Sequence, residues 1–137
     1  LMGAAEHGLI ARYNLTGSVI WSEKLWSNVG DMAVTGDGRH VFLASFTHGA
    51  QLFDGEAGVS RGTFVTEGTV GLVACGFSKR HLVAASLERQ LYAINEGGDL
   101  IWHLSPSEDL TRVIMLPLCD GIVCGFSSGR LLRLDYR

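Results

Sequence analysis

The chain has 137 residues, 47% of them apolar and 18% charged, with a net charge of −3. That length suits one domain, and the composition is globular, which excludes a disordered chain. The small acidic excess speaks against a nucleic-acid surface, and no run nears the roughly 18 apolar residues of a membrane span, so neither nucleic acid nor membrane is expected as a partner.

Glycine is abundant (18 residues), proline scarce (2), and no segment carries a helical 3.6-residue apolar period. Short runs rich in Val, Ile, Leu and Phe alternate with turn residues instead, the pattern of an all-β protein. In chain order, strands are predicted near 1–5, 8–14 and 19–21, then at 31–35, 41–45, 50–54 and 59–64. A second set follows at 70–75, 82–86, 90–95 and 99–103, and a third at 112–116, 121–125 and 130–135. These fourteen strands fall into a self-similar unit. Asn14, Asp54, Asn95 and Asp135 recur at spacings of 40, 41 and 40. The dipeptides Arg39-His40 and Arg80-His81 recur 41 apart, and Trp21 recurs as Trp102, while Gly62-Thr63-Phe64 stands in the intervening copy.

A four-stranded unit of about 40 residues is the β-propeller blade. The chain is therefore read as one propeller segment over 1–137: a partial blade at 1–22, blades at 31–64 and 70–103, and a partial blade at 112–135. The first unit lacks its inner strand and the last its outer strand, so the segment is expected to belong to a larger or oligomeric propeller.

The run Asp37 to Ser45 followed by Gln51-Leu52-Phe53-Asp54 resembles WD40-like repeats. Asn14 to Trp21 and Asn95 to Trp102 resemble the Asp-x-x-Gly-x-x-x-Trp ending of PQQ-like, or quinoprotein-like, repeats. The resemblance covers essentially the whole chain and implies a fold, not an activity. It implies no cofactor here, because quinoprotein enzymes build their funnel, calcium site and catalytic Asp from a complete, larger propeller.

No catalytic constellation is expected. There is no GxSxG elbow and no HExxH or HxH spacing, and neither a metal nor a cofactor is called for. Cys75, Cys119 and Cys124 form no CxxC pair and read as small buried thiols in strands. With no signal-peptide pattern, their odd number leans towards a cytoplasmic setting. His40 and His81 occupy one repeated position, as a structural polar slot does; catalysis needs a unique site.

Function is expected where the repeat is broken. Connections between units and the turns between second and third strands emerge on one end, expected to carry Glu23, Lys24, Trp26, His48, Glu67, Glu88, Arg89, Glu108 and Arg112. Trp26, His48, Glu88, Arg89 and Arg112 are the candidate binding residues. The expected function is a non-catalytic scaffold or sensor module that binds a protein partner through this loop face. Self-association or further blades are the other expected contacts. The alternatives are a fragment of a propeller enzyme (quinoprotein-like, hydrolase or lyase) and a lectin-like repeat module.

Overall fold

In a computed structural model, the structure describes residues 1–64 and 68–136. Fourteen strands form four antiparallel sheets, and no helix occurs among the described residues. The first sheet holds β1 (Met2–Ala5), β2 (Leu9–Tyr13) and β3 (Val19–Lys24). The second holds β4 (Val29–Val34), β5 (His40–Ser45), β6 (Gly49–Asp54) and β7 (Ser60–Phe64). The third holds β8 (Val70–Cys75), β9 (His81–Ser86), β10 (Leu91–Asn95) and β11 (Leu100–Leu104). The fourth holds β12 (Leu110–Met115), β13 (Gly121–Phe126) and β14 (Leu131–Asp135). Each sheet is a simple meander, and consecutive sheets pack face to face along the chain.

The order of burial across a sheet follows from this stacking. β5 and β9 lie mid-sheet with a neighbouring sheet on each face, so their runs Val41–Ser45 and Leu82–Ser86 are wholly buried. That is why they read as continuous apolar runs, not as alternating ones. β3, β7 and β11 form the last edges of their sheets and are largely exposed. Three apolar clusters fill the spaces between sheets. One centres on Ile10, Val41 and Phe53, the next on Phe42, Val73 and Leu82, and the last on Val83, Ile122 and Phe126.

The repeat extends to the irregularities. The first and second strands of each unit lose register between Val29 and Asp31, Val70 and Leu72, and Leu110 and Arg112. The third and fourth strands do so at Arg12/Tyr13, Leu52/Phe53 and Ala93/Ile94. An extra residue at each such bulge increases local twist. The bulges also correct the predicted bounds: β4 and β12 each begin two residues earlier than expected, because Gly30 and Thr111 are bulged strand residues and not loop.

Three members of the Asn/Asp column are explained by their turns. The Asn14 side-chain oxygen accepts from the Thr16 and Ser18 amides (3.0 and 2.9 Å), that of Asp54 from Glu56 and Ala57 (2.8 and 3.0 Å), and that of Asn95 from Asp99 (2.9 Å). A short side-chain acceptor that mimics a backbone carbonyl is what such a turn demands. At the same end, turns of successive sheets are tied together. The Asp37 amide donates to the Phe77 carbonyl (3.1 Å) and the Phe77 amide to the Pro117 carbonyl (2.8 Å).

Candidate functional site

The opposite end carries the loops in which the units differ, and there the loop before β4 is held from both sides. Residues 25–28 join β3 to β4 and lie between the β1–β2 and β5–β6 turns. The Leu25 amide donates to the Gly8 carbonyl (2.6 Å), Val29 to Glu6 (3.0 Å) and Phe46 to Asn28 (3.1 Å). The Thr47 amide donates to Ser27 Oγ (3.2 Å). Gly8 makes this approach possible: a Cβ there would lie 2.6 Å from the carbonyl oxygens of both Leu25 and Ser27, and its φ of +94° belongs to glycine.

On this pinned loop Trp26 is 91% exposed. It borders a cleft of about 540 Å³ together with His7, Lys24, Asn28, Phe46 and Thr47. His48 is next to the cleft, its Nδ1 hydrogen-bonded to Thr47 Oγ1 at 2.8 Å. An indole in water on a rigid loop offers a large contact area whose ordering cost is already met by the fold. Of the predicted residues, Trp26 borders the cleft and His48 is held beside it through Thr47; His7 and Phe46 are additions visible only once the loops are folded.

Glu88 and Arg89 lie on the same end but are engaged within the chain. Glu88 Oε2 accepts from the Thr69 amide at 2.8 Å, and this hydrogen bond, more than any other influence, holds its carboxyl below the ordinary value. Arg89 Nε donates to Asp109 Oδ1 (2.7 Å) and its guanidinium reaches the Ser107 carbonyl (3.1 Å). Arg89 also has a φ of +62°, in the slot where the other three units place Gly8, Gly49 and Gly129, each at positive φ. A non-glycine residue there costs on the order of 1 kcal/mol, and its side chain offsets this by clamping the loop at 105–109. Of the other loop-end residues, Glu108 pairs with Arg130 (2.8 Å), Glu23 lies within β3, and Glu67 falls outside the described residues.

Arg112 requires a correction. It sits inside β12, not on the loops, and with Asp31 it borders a groove of about 200 Å³ over the first strands β4, β8 and β12. The predicted strand at 112–116 already begins at this residue; the bulge at Leu110/Arg112 carries the strand back to Leu110, so Arg112 lies inside it and not at its loop end. Asp31 ties these strands together: its carboxylate accepts from its neighbour Met32 N (2.9 Å) and from Val73 N of the next sheet (3.2 Å).

The three cysteines are free. Cys119 and Cys124 are buried, and burial, with a smaller contribution from Cys119, pushes the Cys75 thiol up to about 12. Among the described residues no group of three His, Cys, Asp or Glu side chains converges in the manner of a metal site. Of the two equivalent histidines, His81 donates from Nδ1 to the Cys119 carbonyl (3.0 Å) and stacks on Tyr136 with ring centroids 4.8 Å apart. His40 Nδ1 is buried without a hydrogen-bond partner among the described residues. His103 stacks on Tyr92 (5.0 Å) and bonds Gln90 Oε1.

No known protein-family model matches the chain and no curated protein matches it.

Proposed function

We propose that the four sheets are blades of a β-propeller of WD40-like or PQQ-like type, and that the protein is a non-catalytic binding module. It takes a protein partner at the loop end, with Trp26 as the anchor. The observation that carries this reading is the pairing of a nearly fully exposed indole with a loop fixed from both sides by backbone hydrogen bonds. Buried at an interface, such a residue becomes a dominant contact, because tryptophan in a pocket contributes more than the surrounding rim. Lys24, His7 and His48 supply polar contacts around it. The ~40-residue four-stranded unit, repeated down to its bulges, supports the blade reading. Completion of a ring falls to further strands, either from the same polypeptide or from a second copy. Leu131 of β14 and Leu118 in the β12–β13 turn, both mostly exposed, are apolar surface for such strands to cover.

The test is selection from a displayed peptide library on the wild-type chain, followed by Trp26→Ala and Arg112→Ala. Binders of the loop end are expected to weaken about 30-fold or more with Trp26→Ala, an anchor-sized loss, and to be unchanged by Arg112→Ala. Binders indifferent to Trp26→Ala would overturn the assignment.

A further inference from the structure

The fourth strand of each unit sends a side chain onto the next sheet, and strand pairing fixes which residues are equivalent. Trp21 lies opposite Arg12, Gly62 opposite Leu52 and Trp102 opposite Ala93, each partner two residues before the Asn/Asp column. The residue just after that column is the one met on the next sheet: Gly55, Glu96 or Tyr136.

At the junction of the first and second sheets, the Trp21 indole lies over Gly58 and Nε1 donates to the Gly55 carbonyl (3.2 Å). At the junction of the third and fourth, Trp102 packs on Tyr136 (5.8 Å), which stacks on His81. The middle junction has His40 in place of His81, Gly62 in place of Trp102 and Glu96 in place of Tyr136. Both rings are missing. A Cβ built on Gly62 meets nothing within 4 Å. Phe64, two residues along, reaches over Gly98 and fills part of the space, and a cavity of about 560 Å³ remains.

We infer that this cavity is a binding site for a flat, neutral aromatic ring system of about indole size. Its apolar side is made by Leu52 and Phe64. Its charged rim is closed on itself as two ion pairs, Arg61 with Asp54 (3.2 Å) and Lys79 with Glu96 (3.1 Å), so the rim selects no net charge. The His40 imidazole borders it, in the register position that His81 holds at the filled junction. A bound ring takes the place that Tyr136 holds against His81, stacking on the His40 imidazole that borders the cavity. The volume is within the range of small-molecule sites, roughly 300–1,000 Å³.

The experiment is a titration of the full chain with indole and with benzimidazole, followed by ¹H–¹⁵N and histidine-ring NMR. Saturable shifts are expected at His40, Gly62 and Glu96, with a Kd of ~0.1–1 mM for so small a probe. The Trp21 and Trp102 indole signals at the flanking junctions serve as internal controls and should stay still. Glu96→Tyr, which restores the ring of the next unit, is expected to weaken binding at least ten-fold. His40→Ala removes the stacking face and is expected to weaken it by ~3–10-fold. If either variant fails to fold, the other decides. Shifts that do not saturate, that spread equally to the flanking tryptophans, or that survive both substitutions overturn the proposal.

Discussion

The junctions on either side of the third sheet are built from the same repeat and end in opposite states. On one side His81, Tyr136 and Trp102 interlock, and the imidazole nitrogen finds a carbonyl. On the other, His40 faces Gly62 and Glu96 across an open cavity, with its nitrogen unpaired. The backbones of the two units share strand lengths and bulges within about a residue, so the difference lies in two exchanged side chains, Gly62 for Trp102 and Glu96 for Tyr136. A repeated frame keeps its fold while one junction exchanges packing energy for open space. In such a protein a lost consensus residue is as informative as a gained one.

The largest expected effect comes from emptying the filled junction. Trp102→Ala should destabilise by about 2–4 kcal/mol in chemical unfolding, because it removes a half-buried indole from its cluster. Tyr136→Ala should cost somewhat less, about 1–3 kcal/mol. The equivalent change across the empty junction, Glu96→Ala, removes only an exposed ion pair and should stay within about 0.5 kcal/mol. Equal losses from Tyr136→Ala and Glu96→Ala would erase the contrast.

Smaller effects concern the loop end and the thiols. The Glu88 carboxyl titrates below its ordinary value, so its tie to Thr69 is complete at neutral pH and is lost only as the pH falls through that depressed value. The Thr69 amide shift should therefore titrate with a midpoint below that of a free glutamate, and Glu88→Gln should abolish the titration. The cysteines should react with a disulfide reagent at pH 8 only slowly until the protein is unfolded, since burial raises Cys75 and Cys124. Fast reaction of Cys75 in the native state would contradict its burial.

Much of this was legible in the sequence. The strand runs, their grouping into units of three, four, four and three, and the Asn/Asp column all rest on local chemistry, namely apolar runs and side-chain-capped turns. Trp26 was legible as the aromatic that breaks the repeat. The position of Arg112 was not, because a bulge is a property of pairing and adds a residue that no single strand reveals. The open junction was written in the alignment of Trp21, Gly62 and Trp102 and of Gly55, Glu96 and Tyr136. Reading it required knowing that these two columns meet between sheets. Likewise, His40 and His81 look alike in the chain, and only their neighbours set them apart.

Parallel unfolding of His81→Phe and His40→Phe tests that difference most directly. Both changes keep a flat ring and delete the nitrogens. His81→Phe should lose about 0.5–1.5 kcal/mol with its bond to the Cys119 carbonyl, whereas His40→Phe should be neutral or stabilising, since it removes a buried unpaired polar atom. Equal destabilisation by both would show that His40 is as well satisfied as His81, and the asymmetry between the two junctions would not stand.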